Sequence, residues 1–396
     1  MTKNTRNKWQ AVCALVLLSL FTACHSAGNA DREAMPDNAM TIAANIRAGW
    51  NLGNTLEVGG ATIHEAETAW GNPVTTQAMI DSVAAAGFNA VRIPVRWYPH
   101  FTERDGGIEI SPKWLGRIKE VVGYCLRRDL YVILNTHHEH WLENHPFYTD
   151  SVEVFSRERM LWTAIAQAFR DYDGRLLFAG TNEVHVADDW GVPSQENADV
   201  QNGFNQVFIK AVRATGGRNT WRNLIVQTYG TNSDYGPRFF RMPYDPTPDR
   251  LMVEVHYYDP YGYCASGEEP YWGVPYSDKG REQEDFLENI FSRLKKQFTD
   301  KGFPIILGEY GAGRFTEGAD STKLKEVRAY YYRRVTGTAR RNGAVPFIWD
   351  NGYTATGADQ FGLFDRHKDT RLTDPHALQG ILEGADTPYP FAQKLQ

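Results

Sequence analysis

Two glutamates end short apolar runs of the sequence and could act together as a pair of carboxylates. Glu183 lies in the string Gly180-Thr-Asn-Glu-Val, and Glu309 lies in the string Ile306-Leu-Gly-Glu-Tyr. When a fold holds two carboxylates close together, their surroundings can separate the pKa values of the two groups, so that one acts as an acid and the other as a base or nucleophile. The pair therefore matters only if the intervening elements bring the two side chains together.

An alternation of strands and helices predicts how the two glutamates could meet. Eight short apolar runs predict strands, and stretches with helical periodicity separate most of them. The predicted strands are residues 49–52, 90–95, 130–135, 176–181, 224–228, 252–256, 304–308 and 345–349, and the predicted helices are residues 76–86, 113–128, 156–172, 200–214, 284–299 and 324–341. This order predicts an α/β fold, a single (β/α)8 or TIM barrel, in which the turn-rich segment 230–248 gives only a poor helix.

The carboxyl ends of the predicted strands carry most of the polar and aromatic candidates. In a barrel of this type these ends meet at one rim, and the active site lies there. The candidates beside the two glutamates are Asn54, Arg92, His137, His138, Asn182, His256, Tyr258 and Trp349. We therefore expect these side chains to surround one cleft.

Two carboxylates at such a rim predict cleavage of glycosidic bonds. The fourth and seventh strands face each other across a barrel, which suits the separation of roughly 5 to 5.5 Å that a retaining mechanism needs. We expect Glu183 to be the general acid and base, with a pKa raised by the second carboxylate, and Asn182 to bind a sugar 2-hydroxyl. We expect Glu309 to stay ionised as the nucleophile, stabilised by Arg92 and Tyr258.

The remaining candidates would hold the sugar. His137 and His138 follow the third strand and His256 ends the sixth, so these histidines can orient the carboxylates and bind hydroxyl groups. Trp349 ends the eighth strand, where its indole would form a floor beneath the sugar. The chain contains 11 Trp and 20 Tyr, whose flat faces suit sugar rings, although any single one of them could equally fill the core.

Other chemistries fit the sequence less well. The cluster His137, His138, His140 and His145 could suggest a metal, but no HExxH spacing is present, so we expect no metal and no other cofactor. The glycines from 308 to 313 come without the lysine of a phosphate-binding loop, and no Gly-x-Ser-x-Gly elbow stands out. The formal net charge of −6 argues against nucleic acid as a partner.

The amino terminus predicts export. Three basic residues precede the apolar stretch 11–21, and small residues lead from it to Cys24. This pattern resembles a bacterial lipoprotein signal peptide, residues 1–23, with Cys24 as the lipid anchor; an ordinary secretory signal is the alternative. A membrane-spanning helix is disfavoured because the apolar stretch is too short.

The rest of the chain predicts one catalytic domain behind a tether. Residues 24–40 are small and polar and predict a flexible tether, and residues 41–396 predict the barrel domain. A disulfide between Cys125 and Cys264 is improbable, since these residues fall at opposite ends of the barrel. We expect a monomer that crosses the inner membrane and is lipid-anchored to the bacterial outer membrane, on its periplasmic side or at the cell surface.

Eight motifs, in order, resemble those of glycoside hydrolase family 5, within it the endoglucanase and xyloglucanase branch. They are Gly49-Trp-Asn-Leu-Gly-Asn-Thr-Leu-Glu57, Thr68-Ala-Trp-Gly-Asn-Pro73, Val91-Arg-Ile-Pro-Val-Arg-Trp97, Asn135-Thr-His-His138, Thr181-Asn-Glu183, His256-Tyr-Tyr258, Gly308-Glu-Tyr-Gly311 and Ile348-Trp-Asp-Asn-Gly352. The resemblance implies a (β/α)8 barrel and a retaining double displacement, with Glu183 as acid and base and Glu309 as nucleophile. It also implies supporting roles for Arg92, His137, Asn182, His256, Tyr258 and Trp349.

One motif departs from the family pattern. Thr181 precedes Asn182, and Val184 and His185 follow Glu183, where many members have Asn-Glu-Pro. We expect this departure to leave the chemistry intact and to reshape the rim beside the acid.

The sequence therefore predicts an endo-β-1,4-glucanase that hydrolyses internal bonds of cellulose-like β-glucan polysaccharides or oligosaccharides. A xyloglucan-specific endo-β-1,4-glucanase, a mixed-linkage glucanase and a mannanase are alternatives within the same chemistry. A surface glycan-binding lipoprotein without catalysis is the alternative from another class, although pure binding has no need of both Glu183 and Glu309.

Overall fold

The computed structural model describes residues 30–60, 62–315 and 321–392, and eight strands of this part of the chain form a closed parallel barrel. In chain order the strands are β1 Gly49–Asn51, β2 Ala90–Ile93, β3 Phe101–Arg104, β4 Gly107–Ile110, β5 Tyr131–Asn135, β6 Leu176–Ala179, β7 Leu224–Asn232, β8 Leu251–Tyr257, β9 Ile305–Tyr310, β10 Ala344–Ile348, β11 Phe364–Asp365 and β12 Arg371–Leu372. The barrel strands are β1, β2, β5, β6, β7, β8, β9 and β10 in that order, with β10 paired to β1. The predicted (β/α)8 fold is confirmed.

Helices connect most of the barrel strands, as the sequence periodicity predicts. They are α1 Ala39–Asn45, α2 Glu65–Thr68, α3 Gln77–Ala85, α4 Pro112–Leu126, α5 His140–Glu143, α6 Tyr148–Ala168, α7 Gln195–Ala214, α8 Gly236–Phe239, α9 Gly280–Gln297, α10 Ser321–Arg341 and α11 Pro375–Ala385. Within the described residues, the segment between β7 and β8 holds only the one-turn helix α8, in agreement with its turn-rich sequence. None of the described helices is both long and apolar enough to span a membrane.

Local sequence explains where two of these helices begin and which side they bury. At α7 the Ser194 hydroxyl accepts a hydrogen bond from the Asn197 backbone N–H, and the Asn197 side chain accepts one from the Ser194 N–H. This reciprocal cap satisfies two donors that a helix start would leave unpaired. In α4, Pro112 occupies the first turn, and Trp114, Ile118 and Val121 recur on one buried face.

A plug of apolar side chains closes the amino-terminal end of the barrel. Ile42 of α1 and Ile46, the residue that directly follows α1, pack in one cluster with barrel-interior residues, among them Ile306 and Phe347. Full burial of two such aliphatic side chains contributes roughly 3 to 6 kcal/mol by area, as an upper bound. The carboxyl ends of the strands, where the predicted site residues lie, form the other end of the barrel.

The predicted tether, residues 24–40, is too long at its carboxyl end. Met35 and Ala39 are buried, and the Arg250 guanidinium donates hydrogen bonds to the backbone carbonyls of Met35 and Asp37. The prediction is wrong for residues 35–40. Their mostly polar composition gives no sign that the few apolar side chains, such as Met35 and Ala39, cover the base of the barrel. Cys125 and Cys264 are both buried and form no disulfide.

Candidate active site

The barrel brings the two predicted carboxylates together. Glu309 belongs to β9, and Glu183 follows the end of β6 by a few residues, so the two side chains come from the seventh and fourth barrel strands. One carboxylate oxygen of Glu183, one of Glu309 and one ring nitrogen of His256 all lie within 4.8 Å of one another. Two carboxylates this close suit the direct attack of a retaining hydrolysis and leave little room for the extra water molecule of an inverting one.

Glu309 is held from two sides by hydrogen-bond donors. Arg92 Nη1 donates to Glu309 Oε1 at 2.9 Å, and the Tyr258 hydroxyl donates to Oε2 at 3.0 Å. Burial raises the pKa of Glu309, and the negative charge of Glu183 raises it further, while His256 and Arg92 oppose the rise. These donors fix the direction in which the carboxylate points.

Glu183 is paired with an imidazole. His256 Nδ1 lies 2.6 Å from Glu183 Oε1, and the Thr231 hydroxyl lies 3.5 Å from the same oxygen. Burial alone would raise the pKa of Glu183, but the hydrogen bond from His256 and its charge outweigh burial and lower it. The predicted rise of this pKa is therefore wrong in this structure, because the cation of His256 lies beside Glu183 and has a larger effect than the second carboxylate.

His256 is a cation between carboxylates. Burial would lower its pKa, but Glu309, Glu183 and Glu254 together raise the pKa of His256 to about 9. The imidazole is thus protonated at neutral pH and can share a proton with Glu183. Among the described residues, Glu183, His256 and Glu309 are the one group of three side chains spaced to hold a metal ion, but the protonated ring has no lone pair to offer a metal at neutral pH.

The side-chain oxygen of Asn182 accepts a hydrogen bond from Arg92, whereas its side-chain nitrogen is available to a ligand. Arg92 Nη2 donates to Asn182 Oδ1 at 2.8 Å, and Arg92 Nη1 also donates to Asn51 Oδ1 at 3.1 Å. The Asn182 amide group has no acceptor among the described residues, so it is free to donate to a ligand hydroxyl. Arg92 thereby sets the orientation of both Asn182 and Glu309.

His137 and His138 lie outside the hydrogen bonds of the two carboxylates. Among the described residues neither ring is hydrogen-bonded to Glu183 or Glu309, so their part in orienting the carboxylates stays a prediction. Burial lowers the pKa of His137 well below its usual value and lowers the pKa of His138 to about 4, so both rings are neutral donors or acceptors. Asn135 Nδ2 lies 3.2 Å from His137 Nδ1, which makes that nitrogen the acceptor and leaves Nε2–H as a donor.

Trp349 lies on the wall of the cleft with the two glutamates. It directly follows β10, and its indole stacks on His137 with an interplanar angle of 8° and ring centroids 6.1 Å apart. The cleft has a volume of about 560 Å³, and both carboxylates, His256, Tyr258 and Trp349 line it. This is the aromatic surface that the sequence predicts for the sugar.

Asn54 is brought to the rim but not to the carboxylates. Its backbone has φ of +53°, a conformation that asparagine tolerates better than most residues, and its carbonyl accepts a hydrogen bond from Asn72 Nδ2 at 2.8 Å. Its N–H donates to Glu57. In this structure Asn54 shapes the turn after β1, and its role in binding substrate stays a prediction.

An aromatic wall on the β6 to β8 side of the cleft was not predicted from the sequence. Trp190, Tyr235 and Tyr261 line the cleft beside Glu183, and Trp190 is 53% exposed. His185 stacks on Trp190 with ring centroids 3.8 Å apart, and the Tyr235 hydroxyl donates to the Trp190 carbonyl at 2.7 Å. Val184 stands where many family members have proline, and His185 directly follows it, so the departure from the family pattern lies next to this wall.

The fold and the site define a barrel glycoside hydrolase of the retaining type. The family model for cellulase, glycosyl hydrolase family 5, matches residues 53–355. The chain belongs to this family. Its members use paired glutamates, and the chain is accordingly a glycoside hydrolase with endoglucanase and xyloglucanase relatives.

Several curated and solved proteins are similar to the chain over most of its length. The xyloglucan-specific endo-β-1,4-glucanase of Bacteroides ovatus is 38% identical over 373 residues, which cover 89% of this chain and 72% of that protein. Endoglucanase A of Paenibacillus barcinonensis is 32% identical over 402 residues, covering 94% and 98%. A solved xyloglucan-specific β-1,4-glucanase from a ruminal metagenomic library, in complex with XXLG, is 35% identical with a TM-score of 0.82, covering 90% of this chain and 98% of that one.

Proposed function

We propose that the chain hydrolyses internal β-1,4 bonds of β-glucans by double displacement, with Glu183 as acid and base and Glu309 as nucleophile. The observation that carries the proposal is the approach of the two carboxylates within 4.8 Å in an open cleft. This spacing matches attack by one carboxylate on the anomeric carbon while the other protonates the leaving oxygen.

The surroundings support this division of roles. Glu309 is 7% exposed and is aimed by Arg92 and Tyr258, as a nucleophile must be. Glu183 is 24% exposed and shares a hydrogen bond with the protonated His256, so it lies closer to the open cleft and next to a source of protons. A group that exchanges protons with a leaving group and later with water needs this access.

The reaction then proceeds in two steps, the formation and the hydrolysis of a glycosyl ester. Glu309 attacks the anomeric carbon, the bond from that carbon to the glycosidic oxygen breaks, and Glu183 gives its proton to this oxygen. Water next attacks the anomeric carbon of the glycosyl ester and gives a proton to Glu183. The bond from that carbon to the Glu309 oxygen breaks, which restores the carboxylate, and the sugar leaves with its original configuration. Asn182 can donate to the sugar 2-hydroxyl in both steps.

Endo action is supported by the form of the cleft. The loops after β6, β7 and β8 carry Trp190, Tyr235 and Tyr261 on one part of the rim, and the loop after β1 carries Trp70, 43% exposed, on another. A polymer lying across the rim could stack on aromatic faces on both sides of the cleavage point. An enzyme that removed single terminal sugars would need a closed end, whereas the described residues leave this cleft open.

Xyloglucan is the second candidate substrate, and it is favoured by similarity. A curated relative at 38% identity and a solved relative at 35% identity are both named as xyloglucan-specific β-1,4-glucanases. Release of reducing ends from carboxymethyl cellulose, xyloglucan, mixed-linkage glucan and mannan separates the candidates. Strong activity on mannan with none on β-1,4-glucans would contradict the proposal.

The non-catalytic alternative is tested at the two carboxylates. Glu183→Gln and Glu309→Gln remove an acid and a nucleophile without changing side-chain size. Each should lower kcat on the polysaccharide by several orders of magnitude and leave the melting temperature near that of the wild type. A surface glycan-binding protein would instead show no hydrolysis in the wild type and unchanged binding in both variants.

We also propose that the protein is exported and lipid-anchored at Cys24, as a monomer on the outer membrane. Cys24 and the signal peptide lie outside the described residues, so the proposal rests on the sequence pattern. Palmitate labelling of the wild type and of Cys24→Ala in a bacterial host tests the anchor, and sedimentation of the soluble domain tests the monomer. Equal labelling of both proteins would contradict lipidation at this residue.

A further inference from the structure

A third carboxylate lies behind the site without touching the cleft. Glu254 belongs to β8, two residues before His256, and it is fully buried. Its Oε1 lies 2.9 Å from Arg92 Nε and 3.5 Å from His256 Nε2, and its Oε2 accepts a hydrogen bond from Gln227 Nε2 at 2.7 Å. The hydrolysis outlined above makes no direct use of this group.

The position of the Glu254 carboxylate is narrowly fixed. On the β9 side it packs against Gly308, where an added Cβ would lie 2.0 Å from Glu254 Oε1. Arg92 and Gln227 hold it from the β2 and β7 sides. Because a buried charge costs several kcal/mol to desolvate unless it is paired, a carboxylate in this place points to a specific use for its charge.

His256 connects Glu254 to the proposed acid. Its Nδ1 faces Glu183 at 2.6 Å and Glu309 at 3.8 Å, while its Nε2 faces Glu254. Three other titratable groups belong to the same cluster. Arg92 from β2 contacts Glu254 and Glu309, Tyr258 directly after β8 donates to Glu309, and the neutral His137 lies after β5. Glu254 is therefore the one carboxylate on the Nε2 side of the ring among the described residues.

We propose that Glu254 is a positioning residue of the hydrolysis, whose carboxylate orients the His256 ring and, through it, retains the proton that Glu183 delivers to the leaving oxygen. The proposal rests on the assignment of Glu183 as the acid. The hydrogen bond to Nε2 turns Nδ1–H toward Glu183, and the negative charge stabilises the imidazolium. Glu183 and His256 then share one proton that is lost only at alkaline pH.

The pH dependence of glycosylation tests this role. In Glu254→Gln the side chain keeps its size and loses its charge, so the Glu183–His256 pair should release its proton more easily. The alkaline limb of kcat/KM on a soluble β-1,4-glucan should move down by about one pH unit or more. Glu254→Asp keeps the charge, so its alkaline limb should stay close to that of the wild type even if its rate is lower.

A matched control is Glu158→Gln in α6, another fully buried carboxylate, which should leave the limb in place. An aryl cellobioside with a dinitrophenol leaving group adds a second readout, because its departure needs no proton. On that substrate Glu254→Gln and the wild type should have similar values of kcat/KM. A purely structural role predicts the same loss on both substrates and an unmoved limb.

Three results would overturn the proposal. They are an alkaline limb of Glu254→Gln at the wild-type pH, an equal shift in Glu254→Asp, and a neutral His256 ring in the wild type at pH 7. The last is measured by nitrogen NMR of the imidazole and does not depend on a variant that folds; two protonated ring nitrogens are expected. A wild type that hydrolyses no glucan would instead refute the proposed function, which keeps the two failures distinct.

Discussion

His256 Nδ1 lies 2.6 Å from Glu183 Oε1 and 3.8 Å from Glu309 Oε2, so one imidazolium serves both carboxylates of the site. The ring lowers the pKa of Glu183 and counteracts the rise that burial causes at Glu309. Two glutamates at this distance would otherwise resist ionising together. The cation allows Glu309 to be ionised while a proton stays with the pair formed by Glu183 and His256.

Removal of this cation should move the acidic limb of the pH profile. In His256→Gln the positive charge is gone, so the pKa of Glu309 rises and a higher pH is needed to ionise the nucleophile. We expect the acidic limb of kcat/KM to move up by about one unit or more, with a fall in the maximum of about 100-fold or more. His140→Gln, which removes a nearby histidine that has no carboxylate partner in the described part of the chain, should leave the limb in place. An unmoved limb in His256→Gln would refute the electrostatic role of the ring.

The roles of the two glutamates can be separated by azide. In Glu183→Ala the acid is missing, so a dinitrophenyl cellobioside should still glycosylate Glu309, and azide should release the β-glycosyl azide with retention. In Glu309→Ala azide should occupy the space of the nucleophile and give the α-glycosyl azide. Proton NMR of the products distinguishes the two configurations. The opposite pairing of product and variant would exchange the assigned roles.

The sequence was sufficient to predict the barrel and the pair because both follow from periodicity. Apolar runs that alternate with helical stretches specify the order of the strands, and a residue at the end of a strand lies at the rim whatever the loops do. Glu183, Glu309, Arg92 and Tyr258 all belong to this class. The order of the strands alone predicts that these residues meet at one rim, and the predicted order is confirmed.

The rest depended on distances and backbone angles that no periodicity encodes. The direction of the Glu183 pKa is set by the 2.6 Å approach of His256, and the turn at Asn54 is set by a positive φ. For Glu254 the sequence contains one indication, a charged residue within a predicted apolar strand. Trp190 lies in a loop, where neighbours in space are unrelated to neighbours in sequence.

Trp190 should act on the leaving-group side of the substrate. It follows Glu183 on the same loop and is fixed by His185 and Tyr235. Trp190→Ala should lower kcat/KM on β-glucan oligosaccharides by about tenfold through the lost stacking surface, and change hydrolysis of an aryl cellobioside, whose leaving group is not a sugar, by less than about twofold.

Trp70→Ala is the matched control. Trp70 is also about half-exposed, but it lies between β1 and β2 and contacts His138. It should lower activity on both kinds of substrate or on neither. Equal losses for Trp190→Ala on the oligosaccharide and the aryl glycoside would place Trp190 elsewhere in the substrate path.

Gly308→Ala should disturb the site from behind. A Cβ at this position would lie 2.0 Å from Glu254 Oε1, a distance that requires the carboxylate or the strand to move. We expect a loss of unfolding free energy of about 1 to 3 kcal/mol, together with a lower kcat. Urea denaturation measures the first and steady-state kinetics the second.

The control for this substitution is Gly116→Ala in α4, where no atom of the described residues lies within 4 Å of the new Cβ. There alanine should stabilise the helix by about 0.5 to 1 kcal/mol with no change in kcat. Wild-type activity and stability in Gly308→Ala would show that the close packing around Glu254 is not required.

Glu158 should make the protein less stable as the pH rises. It lies fully buried in α6, neither of its carboxylate oxygens has a hydrogen-bond partner among the described residues, and burial raises its pKa well above the usual value of 4.5. Above that value the unfolded chain releases this proton while the folded chain keeps it, so the folded state binds more protons and its free energy of unfolding falls with rising pH. The loss continues until the pH passes the raised pKa of the folded state.

Glu158→Met removes this loss of stability at high pH, since methionine fills a similar volume without a charge to desolvate. The variant should resemble the wild type in urea denaturation near pH 4.5 and exceed its free energy of unfolding by about 1 kcal/mol or more at pH 8. Glu153→Gln, an exposed site on the same helix, should follow the wild-type pH dependence. If the difference between Glu158→Met and the wild type were constant from pH 4.5 to 8, the buried carboxyl would not be the group that titrates, and its effect would come from packing alone.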